Sequence, residues 1–136
     1  MPRRPLPPPD HALVDVRTGL IDENWYDFLR ENLRVTNVAL TYGATVNTNA
    51  QAGDAFTIIA SGNFTIAAPT NPVVGQTLTY TISNISGGAI VVTWNSVFHL
   101  AGAYVAPATG NNRSISFTYN GASWIERYRS VADVAN

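Results

Sequence analysis

The chain has 136 residues, enough for one ordinary domain with an attachment segment and too few for two independent cores. Charged residues make up 12% of it, about half the usual share of roughly a quarter, and Thr, Asn, Ser, Ala and Gly, the residues of uncharged β surfaces and tight turns, fill the deficit. The net charge of -1 supplies no long-range field for nucleic acid or an anionic membrane, and the absence of cysteine excludes disulfides, thiolate metal sites and Cys nucleophiles.

Five of the eight prolines lie between Pro2 and Pro9. Such a run lacks amide donors and favours polyproline II, so residues 1–21 are expected to form an extended arm. A proline arm has little means of ordering itself, and the expectation is that Arg3, Arg4, Pro5, Leu6, Pro7, Pro8 and Pro9 lie against a partner chain. The start is charged but no apolar segment follows it, and no stretch approaches the roughly 20 apolar residues that span a bilayer. A protein without a signal peptide and without membrane insertion is expected. All eight basic residues are arginine. Genomic base composition and selection for the planar, bidentate guanidinium at interfaces both account for that.

A short helix is predicted next, within 22–36. Asp22 is a good N-cap, Glu23 suits the positive first turn, and Ile21 and Tyr26 stand at the positions of a hydrophobic staple. From Glu23 to Val35 the apolar residues Trp25, Phe28, Leu29 and Leu33 recur by three and four, so the helix carries one sticky face. A helix this short is marginal alone, and that face must pack on the chain's own β domain or on other chains.

Residues 37–54 read as a linker or first strand, and the pattern then changes to period two. Segments 55–60, 64–68, 76–83, 89–94, 113–119 and 123–128 read as strands, separated by Ser61-Gly62, Pro69 to Gly75, Ser86-Gly87-Gly88 and Pro107. Asn120-Gly121 supplies the two positive φ angles of a type I′ hairpin between the Phe117 and Trp124 strands. Leu78, Tyr80 and Ile82 share one face of their strand, with Thr77, Thr79 and Thr81 on the other. Short strands at such spacing predict a mainly β fold, an antiparallel jelly-roll-like β-sandwich over 55–130, with a C-terminal tail at 131–136.

The residues that could carry chemistry are sparse. His11 and His99 stand far apart and lack a third ligand, so no metal site is expected. Asp54, Glu126 and Asp133 are the only acids in the β region, with no pattern of paired carboxylates, and there is neither a G-x-S-x-G elbow nor a glycine-rich phosphate loop. No catalytic residue and no cofactor is expected. Aromatic residues gather in the second half, most simply as core, and Trp94 and Tyr104 are the candidates for stacking on a glycan.

Two sets of segments resemble a known class. Pro5-Leu-Pro-Pro-Pro, Leu13-Val-Asp-Val-Arg-Thr-Gly and Trp25-Tyr-Asp-Phe-Leu resemble the opening of small structural proteins of tailed bacteriophages. Phe64-Thr-Ile-Ala-Ala-Pro, Pro72-Val-Val-Gly-Gln-Thr-Leu, Val92-Thr-Trp-Asn-Ser-Val-Phe and Phe117-Thr-Tyr-Asn-Gly-Ala-Ser-Trp-Ile-Glu are similar to β domains of phage tail-fibre and head-decoration proteins. The resemblance implies a virion component assembled in the bacterial cytoplasm: a decoration, head-fibre or collar element. Its N-terminal segment would dock on capsid, connector or tail proteins while a homotrimeric β domain projects outward. Only 36–54 is left for a shaft, which makes a long receptor-binding fibre a poor match; adhesion to a host glycan is the alternative.

Overall fold

The computed structural model describes residues 5–8, 10, 12–32 and 35–136. It divides into two compact units, Met1–Val35 and Thr36–Asn136. In the first, the described residues form one helix, α1 (Glu23–Asn32). Asp22 caps it: the Asn24 amide donates to Asp22 Oδ1 at 2.9 Å, and the Tyr26 amide donates to the Asp22 carbonyl at 2.8 Å. Trp25 and Phe28 meet edge to face, their centroids 5.9 Å apart, as the spacing of three requires. Val35, expected to lie within the helix, is not helical; Leu33 and Arg34 lie outside the described residues.

The segment before α1 is not extended throughout, as an arm over 1–21 would be. Residues 13–22 fold back on themselves, with the Asp15 amide donating to the Leu20 carbonyl at 2.9 Å and the Asp22 amide to the Leu13 carbonyl at 3.0 Å. The cause is local. Asp15 accepts the Arg17 amide at 2.8 Å in an Asx turn, and Gly19 takes a φ of +71° that only glycine adopts without strain.

The second unit is mainly β, but it is not the antiparallel sandwich that period-two alternation suggested. β1 (Asn37–Leu40), β3 (Ala55–Ala60) and β5 (Thr77–Asn84) lie parallel in one sheet. β2 (Thr45–Val46), β4 (Phe64–Ile66) and β6 (Val92–Trp94) lie parallel in another. Each strand of the first sheet is followed in the chain by one of the second, so the pairs β1–β2, β3–β4 and β5–β6 form three successive rungs of a solenoid-like arrangement. Alternation marks a half-buried strand without telling parallel from antiparallel pairing. The corner residues decide. The links at 41–44 and 61–63 contain no residue with positive φ, so they do not form the tight primed turns that fold a strand back on its neighbour. They carry the chain over to the other sheet.

The Asn-Gly signal is right about the hairpin but not about its turn: only Gly121 takes a positive φ, +102°, and the connection is the four residues 120–123, where Asn120 Oδ1 accepts the Ala122 and Ser123 amides at 2.9 and 2.8 Å. β8 (Asn111–Tyr119) and β9 (Trp124–Arg129) form an antiparallel hairpin around Asn120 and Gly121. β8 lies antiparallel beside β5, where a fourth rung would otherwise continue, and β7 (Phe98–His99) pairs parallel with the far side of β9. β10 (Val134–Ala135) pairs with β8, within the segment expected to be a tail.

The core lies between the two sheets. Val46, Phe56, Ile58, Ile66, Leu78, Tyr80, Ile82, Ile115, Phe117 and Trp124 are all at most 1% exposed, which makes them the inward side of the alternation. Threonine and serine line the outward side, in the cross-strand pairs Thr77–Thr118, Thr79–Ser116 and Thr81–Ser114 at 2.8 to 3.1 Å. Three polar groups are carried inside with partners. Tyr80 donates to the buried Thr48 hydroxyl at 3.0 Å. The wholly buried Asn84 donates to the Gly88 and Pro107 carbonyls and accepts the Ser86 amide, each at 2.9 Å.

Candidate functional site

The residues that the sequence singles out fall in two places. In the first unit, the arm residues Pro5, Leu6 and Pro8 are exposed and Pro7 is buried, while Arg3, Arg4 and Pro9 lie outside the described residues, as does His11. Trp25, Phe28 and Leu29 are half-buried on α1. Around them the described residues leave Leu6, Leu13, Val14, Val16, Leu20, Ile21 and Tyr26 exposed, Val16 at 96% and Leu20 at 69%. Pro7 is the sole buried residue among those described from 5 to 31. A segment that exposes so many large apolar side chains gains little of the burial that offsets the conformational entropy of ordering it.

In the second unit, Trp94 and Tyr104 come together, with centroids 5.4 Å apart and planes at 76°. They are half-buried and belong to one aromatic cluster with Tyr80, Phe98 and Phe117; Trp94 lies 5.1 Å from Phe98 and 5.2 Å from Phe117. Trp94 Nε1 and the Tyr104 hydroxyl are both buried and, among the described residues, have no hydrogen-bond partner. Burial pushes the Tyr104 phenol up to about 12 against the opposing pull of the Arg113 and Arg129 charges, so it stays protonated at neutral pH.

Tyr104 rides on the segment 100–110 between β7 and β8, which two ion pairs fasten to the hairpin. Glu126 accepts the Ala101 amide at 2.7 Å and pairs with Arg129, whose guanidinium donates to the Gly102 and Ala103 carbonyls at 3.2 and 2.8 Å. Asp133 accepts the Ala108 amide at 3.2 Å and Arg113 Nε at 2.6 Å, while Arg113 Nη1 reaches the Val105 carbonyl at 3.3 Å. The guanidinium beside each carboxylate holds both below the ordinary carboxylate range.

The Glu126–Arg129 pair escapes a reading of strand periodicity, because residues three apart on a regular strand face opposite sides. β9 carries an irregularity opposite Ser116 and Phe117. Glu126 pairs with Phe117 and Tyr128 with Ser116, leaving Arg127 as the extra residue and bringing Glu126 and Arg129 to one side. An i, i+3 acid–arginine pair in the last strand was the available signal. The outcome is a fastened loop, not an acid–base pair: both charges are engaged with each other and with backbone.

His99 is exposed on β7. Among the described residues no group of three His, Asp or Glu side chains could hold a metal ion, and no helix is long and apolar enough to cross a membrane. No family model, no curated protein and no solved structure matches the chain.

Proposed function

We propose that the chain is a non-enzymatic structural module of a bacteriophage particle, a decoration, head-fibre or collar component, which docks through its first unit and displays its solenoid-like second unit. The observation that carries this reading is the apolar surface of residues 6–26, from Leu6 through Val16 and Leu20 to Tyr26, left uncovered on a segment with almost no burial of its own. A segment of that kind is ordered by a partner, and the ordering is repaid by the area the partner covers. The second unit adds a mainly uncharged, hydroxyl-lined sheet and no constellation of reactive groups, in keeping with display.

Adhesion to glycans through Trp94 and Tyr104 is the weaker reading. Both rings are half-buried and pack in one cluster with core aromatics, and Tyr104 rides on a segment held by two ion pairs, so much of their area is already committed to packing.

The test is mass spectrometry on purified particles of the virus that encodes the chain, with the full chain and with a Val16→Asp, Leu20→Asp variant. The chain is expected in the particle, and the variant is expected to be lost from it while the second unit keeps its thermal transition. Absence of the chain from the particle, or undiminished incorporation of the variant, refutes the reading.

A further inference from the structure

The two ends of the solenoid-like stack differ. At one end the large sheet runs on past β5 through β8 and β9 to the two-residue β7, and the small sheet stops at the three-residue β6, so the outer edges of the two sheets there do not belong to one rung. At the other end, among the described residues, neither β1 nor β2 has a strand on its outer side, so both sheets are open at the same rung.

Backbone directions follow from the bonds already made. The Thr36 carbonyl accepts the Ala55 amide at 3.1 Å, so Thr36, Val38 and Leu40 turn their polar backbone groups toward β3, and Asn37 and Ala39 turn theirs to the open side. In β2 the Ala44 and Val46 carbonyls accept the Thr65 and Ala67 amides at 2.9 and 3.0 Å, which leaves the Thr45 groups on the open side. Natural edge strands are blunted by charge, proline or bulges. Residues 35 to 53 contain no charged residue and no proline, and the pairing of β1 with β3 runs without a bulge.

We propose that this open rung is a self-association surface whose occupant is the same rung of a second copy of the chain. Two open edges, one in each sheet, must be covered together, with the sheets about 10 Å apart. A single added peptide strand fills one of them. A second copy presents two edges at the same separation. A twofold axis perpendicular to the sheets sets β1 antiparallel to the partner's β1 and β2 antiparallel to the partner's β2 in one operation, which is the isologous arrangement commonest in small oligomers. The uncharged rung meets itself without like-charge repulsion. At the far end the open edge of the large sheet is β7, three strands beyond β5, so β6 has no open companion on its own rung and cannot be used in this way. The state this predicts is a pair, where a fibre-like module would give three, and it involves the second unit alone, independently of particle docking.

Ala39 is exposed and its amide faces the open side, so Ala39→Pro removes a donor for the partner without removing a β1–β3 bond. Sedimentation equilibrium on the full chain is expected to give twice the 14.6 kDa chain mass for the natural sequence and a single chain mass for Ala39→Pro with unchanged circular dichroism. Ala39→Lys and Ala39→Glu are each expected to be monomeric, and their equimolar mixture is expected to regain the pair. A monomeric or trimeric natural chain, a dimer that persists in Ala39→Pro, or a Lys and Glu mixture that stays monomeric overturns the proposal.

Discussion

Replacing Asn84 by Ala tests how the last complete rung is joined to the segment that follows it. The side chain is 0% exposed and makes three hydrogen bonds of 2.9 Å: its amide donates to the carbonyls of Gly88 and Pro107, and its oxygen accepts the Ser86 amide. The three losses are unequal. Gly88 is exposed, and its carbonyl also accepts the Ser86 hydroxyl at 3.0 Å, so it stays satisfied. Pro107 is buried, and no other hydrogen bond reaches its carbonyl, which is left without a partner. At about 1 kcal/mol for each exchangeable bond and about 1–3 kcal/mol for a stranded buried group, the loss comes to about 3–5 kcal/mol. In a unit of this size that lowers Tm by roughly 15 °C or more. Asn84→Asp is the sharper variant, because it keeps the acceptor for Ser86 but turns a buried carboxylate toward two carbonyls, and it is expected to be less stable than Asn84→Ala. Thermal unfolding followed by circular dichroism reads both. A Tm for Asn84→Ala within a few degrees of the natural chain, or Asn84→Asp more stable than Asn84→Ala, would refute the view that this side chain ties the corner to the segment at Pro107.

Two further outcomes follow from the geometry. Glu126 and Asp133 have ordinary values of 4.5 and 3.8 and are depressed in the fold by Arg129 and Arg113; their contribution is therefore complete above those values and is lost as pH falls through the lower folded ones. Urea unfolding is expected to show constant stability from pH 7 to about 5 and a decline below about 4.5, with a shallower decline in Glu126→Gln; identical acid limbs in the two proteins would contradict the assignment. At Gly53 an added Cβ would stand 2.6 Å from the Thr36 carbonyl oxygen and 2.8 Å from Val38 Cγ2, so Gly53→Ala is expected to cost about 1–3 kcal/mol by pushing β1 off β3. Unchanged thermal unfolding of that variant would show that the first rung gives way freely.

Local physics made much of this chain legible. Asp22 caps the helix because its carboxylate is placed to accept the Asn24 amide, and Leu78, Tyr80 and Ile82 are buried because strand side chains alternate. Asn120-Gly121 closes a hairpin because Gly121 supplies a positive φ where the chain reverses. These effects act within a few residues, so the sequence by itself determines them. Pairing is not local. Whether Phe56 lies beside an antiparallel neighbour or parallel to Tyr80 depends on where the corners at 41–44 and 61–63 deliver the next strand, and alternation is the same in both cases. The meeting of Glu126 with Arg129, the burial of Trp94 and Tyr104, and the two open edges of the first rung all depend on that pairing. Only the tertiary structure decided them, because each depends on partners more than a turn away in the chain or on a bulge that resets strand parity.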